Sequence, residues 1–121
     1  MSSRPGMIDY LNAGLRSADL RQRAIASNLS NLHSSGYRRL DVKFQDALAD
    51  AIESSSDASE VNSITGELFR PNTSAVGANG NDVSIDEEVG HLMSNSGRYK
   101  TLMAILRKNY DQMSMAMKTE G

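Results

Sequence analysis

At both ends of this 121-residue chain, apolar side chains recur at alternating spacings of three and four, and a polar stretch separates the two runs. The first run is Ile8, Leu11, Leu15, Ala18, Gln22, Ile25, Leu29 and Leu32. The second is Val89, Leu92, Ser96, Tyr99, Met103, Leu106, Tyr110, Met113 and Met117. This spacing puts each set on one stripe of an α-helix, and a stripe over more than three heptads calls for a partner helix. The pattern predicts a mostly α, elongated molecule: an antiparallel pair of long N- and C-terminal heptad helices, a short third helix and a largely irregular middle.

The boundaries follow from local chemistry. Pro5-Gly6 breaks the chain before an N-terminal coiled-coil helix over 7–33, and Asp9 lies in its first turn, where the helix dipole favours a negative charge. A turn and a short amphipathic helix marked by Phe44, Leu48 and Ile52 fill 34–53, with Asp41 the expected cap. From 54 to 81, 17 of 28 residues are Ser, Thr, Asn, Asp, Gly or Pro. So little apolar surface does not offset the entropy of ordering, which predicts an irregular segment over 54–82, with at most a short strand pair around 64–69. Ser84-Ile85-Asp86-Glu87 is a capping-box pattern that opens a C-terminal coiled-coil helix over 84–118. Terminal helices of some 26 and 33 residues are about 39 and 50 Å long, whereas a compact sphere of this chain length is about 35 Å across. Gly90, Gly97 and Ala104 fall seven apart on a neighbouring face, where a second helix has room to approach closely.

Charge is distributed in blocks. Residues 1–43 carry +4, residues 44–88 carry −9 and residues 89–121 carry +3. The basic residues interleave with the apolar stripes rather than gathering on one face with aromatic partners, so they read as solvated helix faces and not as a nucleic-acid surface. Opposite signs in the middle and at the ends favour end-to-middle contacts between neighbouring molecules.

The residue types argue against catalysis and cofactors. The absence of Cys removes disulfides, thiol nucleophiles and Cys-ligated zinc. The two histidines, His33 and His91, are 58 residues apart with no metal-ligand spacing. His33 sits in a Ser-rich turn with no carboxylate placed to orient it as a base. Asp86-Glu87-Glu88 falls in a helix first turn, where the dipole accounts for it. Gly77-Ala78-Asn79-Gly80 lacks the Lys of a phosphate loop. No apolar run approaches the roughly 20 residues of a membrane span, and charges through the first 30 residues are unlike a cleaved signal peptide. Neither an enzyme nor a cofactor, metal, nucleic-acid or small-molecule binder is expected.

One segment is more specific. In Asn28-Leu29-Ser30-Asn31-Leu32-His33-Ser34-Ser35-Gly36-Tyr37-Arg38-Arg39, Asn28 and Asn31 stand where a helix end leaves backbone groups unpaired. Gly36 can take a positive φ and reverse the chain. Tyr37 can then fold its ring back on the helix with its hydroxyl in water. The whole run NLSNLHSSGYRRLDVKF at 28–44 resembles the signature that follows the first helix of bacterial flagellar rod and hook proteins. Asp41-Val42 and Phe44, with Leu48 after them, are similar to the proximal-rod type of subunit. The run GNDVSIDEEVGHLMSNSGRYKTLMAILRKNYDQM at 80–113 fits the same type through Gly80-Asn81, Val83, Asp86, Glu88 and Arg98-Tyr99. Ser35 departs from the family's usual Pro, and His33-Ser34 from its usual Asp/Ser-Thr pair.

The resemblance implies a structural subunit that packs through its terminal helices into a helical tube, beside the inner-membrane ring on the periplasmic side, and transmits torque. Implied partners are copies of itself, other flagellar rod proteins, the ring with its adaptor protein, and the flagellar type III export apparatus. The assembly interface is then expected at Ile8, Leu11, Leu15, Ile25, Leu29 and Leu32 on one helix and Leu92, Tyr99, Met103, Leu106, Tyr110 and Met113 on the other. A soluble helical adaptor or secretion chaperone forming a closed dimer suits the same seams.

Overall fold

The computed structural model describes residues 4–54 and 57–120, so Ser55 and Ser56 of the polar middle lie outside the described residues. The chain is mostly helical, with one long helix at each end. Helix α1 spans Met7–Ser30. Its first turn is closed by Asp9, whose carboxylate accepts from the Gly6 amide at 2.8 Å and from Asn62 at 3.0 Å. Those bonds, the Gly6 amide foremost, hold the Asp9 carboxyl below its ordinary pKa. The helix stops at Ser30, three residues short of the 33 expected from periodicity, and 31–33 form a turn.

Strand β1 (Asp41–Lys43) and helix α2 (Gln45–Glu53) follow the turn. Asp41 therefore does not cap α2. It lies in the strand, its carboxylate accepting from the Val42 amide at 2.8 Å, while Phe44 takes the cap position without a side-chain bond. Within 54–82, expected to be irregular, the described residues form two regular elements. Helix α3 (Ala58–Ser63) is capped by Asp57, whose side chain accepts from the Glu60 amide at 2.9 Å. Strand β2 (Glu67–Phe69) pairs antiparallel with β1, Val42 opposite Leu68. The strand expected around 64–69 is present, but its partner comes from the far side of α2 and α3.

Helix α4 covers Ile85–Glu120, 36 residues and about 54 Å, against about 36 Å for α1. Its start bears out only part of the capping box: Ser84 Oγ receives the Glu87 amide at 3.5 Å, the outer limit of a bond. Helix α1 contacts α4 on one side and a small layer made by the β1–β2 pair, α2 and α3 on the other. The core proper sits on that second side: Ala13 and Ala24 of α1 meet Val42, Phe44, Ala51 and Val61, with Tyr10, Leu20, Leu40, Leu48 and Ile64 around them. Small α1 side chains there let the short elements come close. Arg16 fastens the layer by donating to the Val61 and Ile64 carbonyls at the end of α3, at 3.0–3.2 Å.

Candidate functional site

The turn after α1 and the segment before α4 interlock. Asn28, fully buried in the last turn of α1, reads the backbone of Leu40 in both directions: its Oδ1 accepts the Leu40 amide at 2.8 Å and its Nδ2 donates to the Leu40 carbonyl at 3.0 Å. The same Nδ2 donates to Glu88 of α4 at 3.1 Å. Asn31 bonds back to its own helix, at the Ser27 carbonyl. Gly36 takes φ +72°, with open space where a Cβ would stand, so the turn needs the left-handed backbone and not a close approach. Tyr37 folds back as expected, yet its hydroxyl is not left to water: it bonds Ser27 Oγ at 2.9 Å and Asn28 Oδ1 at 3.0 Å. Arg70 covers the ring of Tyr37, 5.1 Å from its centroid.

Asn81 completes the end of α1 from outside. Its Nδ2 faces the carbonyls of Asn31, Leu32 and Ser34 at 2.7–3.3 Å, doing for the helix what a C-cap residue does. Gly36 donates its amide to the Asn79 carbonyl at 2.8 Å, and Asp82 donates its own to Tyr37. Two ion pairs close the joint. The buried Asp82 carboxylate accepts from Arg38 Nε at 3.1 Å and from the Arg39 amide at 2.6 Å. Glu88, with no exposed surface, accepts from Arg39 Nε at 2.8 Å, and Arg39 reaches Asp41 at 3.3 Å. Burial disfavours the Arg39 charge, but the bond to Glu88, its charge, and then Asp41 more than offset this, so the guanidinium is held more tightly protonated than usual.

Arg38, Arg39, Asn81, Asp82 and Glu88 were not legible as a site. The triplet Asp86-Glu87-Glu88 reads as dipole compensation, and for the exposed Asp86 and Glu87 nothing more is visible. Glu88 differs because a period of 3.6 puts it in line with Leu92 and Asn95, on the face that meets α1.

The helix pair does not meet seam to seam. The α4 row turned on α1 is Glu88, Asn95, Leu102 and Asn109: Glu88 bonds Asn28, Asn95 bonds the Ala18 carbonyl and Gln22, Leu102 fits over Gly14, and Asn109 reaches Met7 Sδ at 3.5 Å. Three of these four are polar, which is why hydrophobic spacing pointed one position away. Of the residues expected at the seam, Leu11 and Ile25 are buried; Ile8, Leu15, Leu29, Leu32, Leu92, Met103 and Leu106 are half-buried. Tyr99, Tyr110 and Met113 are exposed by 43–51%, and Met117 by 73%. Since Asn109 pairs with the first residue of α1, α4 runs on past its partner for about 16 Å, and all of 110–118 is exposed. Gly90 and Gly97 have open space around them, so no described helix uses that groove.

A cleft of about 310 Å³ opens where α1, β1 and α4 converge, lined by Arg21, Arg39, Asp41, Gln45, His91, Ser94 and Arg98 among others. Burial, then repulsion from Arg98, lowers the pKa of the Arg21 guanidinium, with Asp41 acting in the opposite sense. No group of three or more His, Asp or Glu among the described residues is placed to hold a metal ion, and no described helix is long and apolar enough to cross a membrane.

No protein-family profile matches the chain. It is similar to the flagellar basal body rod protein FlgB of Bacillus subtilis (strain 168), 27% identical over 126 aligned positions that span 97% of each chain.

Proposed function

We propose that the chain is a structural, non-enzymatic subunit of a bacterial flagellar basal-body rod, of the proximal type. In this reading it packs through its terminal helices into a helical tube beside the inner-membrane ring and its adaptor, on the periplasmic side, and transmits torque. It reaches that place through the flagellar type III export apparatus, and its partners are its own copies and other rod proteins. The observation that carries the reading is the apolar row of α4, which continues past the end of α1 with Tyr110, Met113 and Met117 exposed. An exposed apolar row of this length marks a surface completed by another chain. Similarity to a rod protein along nearly the whole chain supports a rod as the assembly that supplies it.

Electron microscopy of basal bodies from cells lacking this chain tests the proposal. Inner-membrane rings without rods are expected. Normal rods and filaments would overturn it and leave a soluble helical adaptor as the working description, for which sedimentation should then give a single closed dimer.

A further inference from the structure

The cleft between α1, β1 and α4 is a second interaction surface, chemically unlike the apolar row. Arg39 is satisfied within it by Glu88 and Asp41. Arg21 has only the neutral Gln45 as a hydrogen-bond partner, at 2.8 Å, and Arg98 makes no hydrogen bond or ion pair with the described residues. Two arginines that repel each other across a concave site form a receptor for carboxylates, which both guanidinium forks can engage. His91, Ser94 and Arg98 lie at positions i, i+3 and i+7 of α4, so the cleft extends along one exposed helix face.

The complementary surface is on the chain itself. Asp46, Asp50 and Glu53 occupy one face of α2 at spacings of four and three, all exposed, and none forms an ion pair with a described cation. They belong to the block 44–88, where Arg70 is the lone cation against ten acidic residues. We propose that the Arg21–Arg98 cleft receives the Asp46, Asp50 and Glu53 carboxylates of a neighbouring copy. In the rod the contact is head-to-side, each copy's cleft engaging the next copy's α2, so that it propagates along the assembly. The proposal rests on the rod reading, and it names a contact between subunits separate from the terminal-helix packing.

The test uses cells whose own copy of the chain is deleted and replaced by variants, with rods counted by electron microscopy. Arg98→Glu and Asp50→Arg are each expected to lower the number of rod-bearing basal bodies about tenfold or more, since each sets like charges against each other. Both sites are exposed, so circular dichroism of the purified variants should match the parent. The combined variant, with the charges exchanged, should recover to within about threefold of the parent. Because the chain has no Cys, a mixture of Ser94→Cys and Ala49→Cys chains gives a clean second readout: a crosslinked dimer in assembled rods only when both are present. Normal rods with Arg98→Glu overturn the proposal, as does a combined variant no better than the single ones that also yields no crosslink. Rescue or crosslinking supports it. If deletion of the chain leaves rods intact, the rod reading itself has failed, a result distinct from either.

Discussion

Three consecutive carboxylates, Asp86, Glu87 and Glu88, show how position decides what one charge is worth. The first two are exposed in the opening turn of α4, while Glu88 is wholly buried between Arg39 and Asn28. Removing one partner of a buried pair strands the other, so Glu88→Ala should lose about 3–5 kcal/mol of unfolding free energy in urea titrations. Glu87→Ala should stay within about 0.5 kcal/mol. Equal losses would mean that the joint contributes nothing of its own. Asp9 gives a pH-dependent counterpart at the other end of α1. Its folded pKa lies below the ordinary 3.8, so the stabilisation it brings is present above that value and disappears as pH falls through the lowered one. Protection factors of amides in the first turn of α1, relative to intrinsic exchange at each pH, should fall over that acid range, and Asp9→Asn should remove the dependence.

Helix α4 carries two rows with different tasks. Leu102 sits over Gly14, 3.1 Å from where a Cβ on that glycine would stand, and belongs to the fold. Leu102→Ala should cost about 1–2 kcal/mol of stability, less than for a fully buried leucine because the site is half open. Tyr110→Ala and Met113→Ala should leave the stability of the isolated chain within about 0.5 kcal/mol while reducing rod assembly. If they destabilised the isolated chain as Leu102→Ala does, the apolar row would be core and not surface. The same division explains what the sequence revealed. Two long helices were legible because leucines, isoleucines and methionines keep a helical period for many turns. The row that joins them was not, since Glu88, Asn95 and Asn109 carry no hydrophobic signal and Gly14 acts by having no side chain. Strand β2 was glimpsed through Leu68 and Phe69, but three-residue strands paired across two intervening helices leave no pattern that names the partner. Gly36 and Tyr37 pointed to the turn. Its closure by Asn81 and Asp82, more than 40 residues on, depends on tertiary structure alone.

At the scale of the molecule, stability is concentrated at one end. The joint ties the end of α1 to the start of α4 through buried ion pairs and a cluster of asparagine bonds, and the small core lies along the opposite side of α1. Toward the other end the last bond between α1 and α4 among the described residues joins Asn109 to Met7, and α4 extends beyond it with 110–118 exposed. A helical stretch as exposed as 110–118 is marginal in water, because it buries too little surface to offset nucleation and backbone entropy. On the proposed rod reading, assembly supplies that packing, and ordering of the overhang and addition to the rod are one coupled step. Hydrogen exchange should show the gradient directly: in the dilute chain, amides at 110–118 exchange at least about a hundredfold faster than those at 88–95, and incorporation into rods removes the difference. Equal protection along α4 in the free chain would sever that coupling, and the overhang would then be a preformed strut.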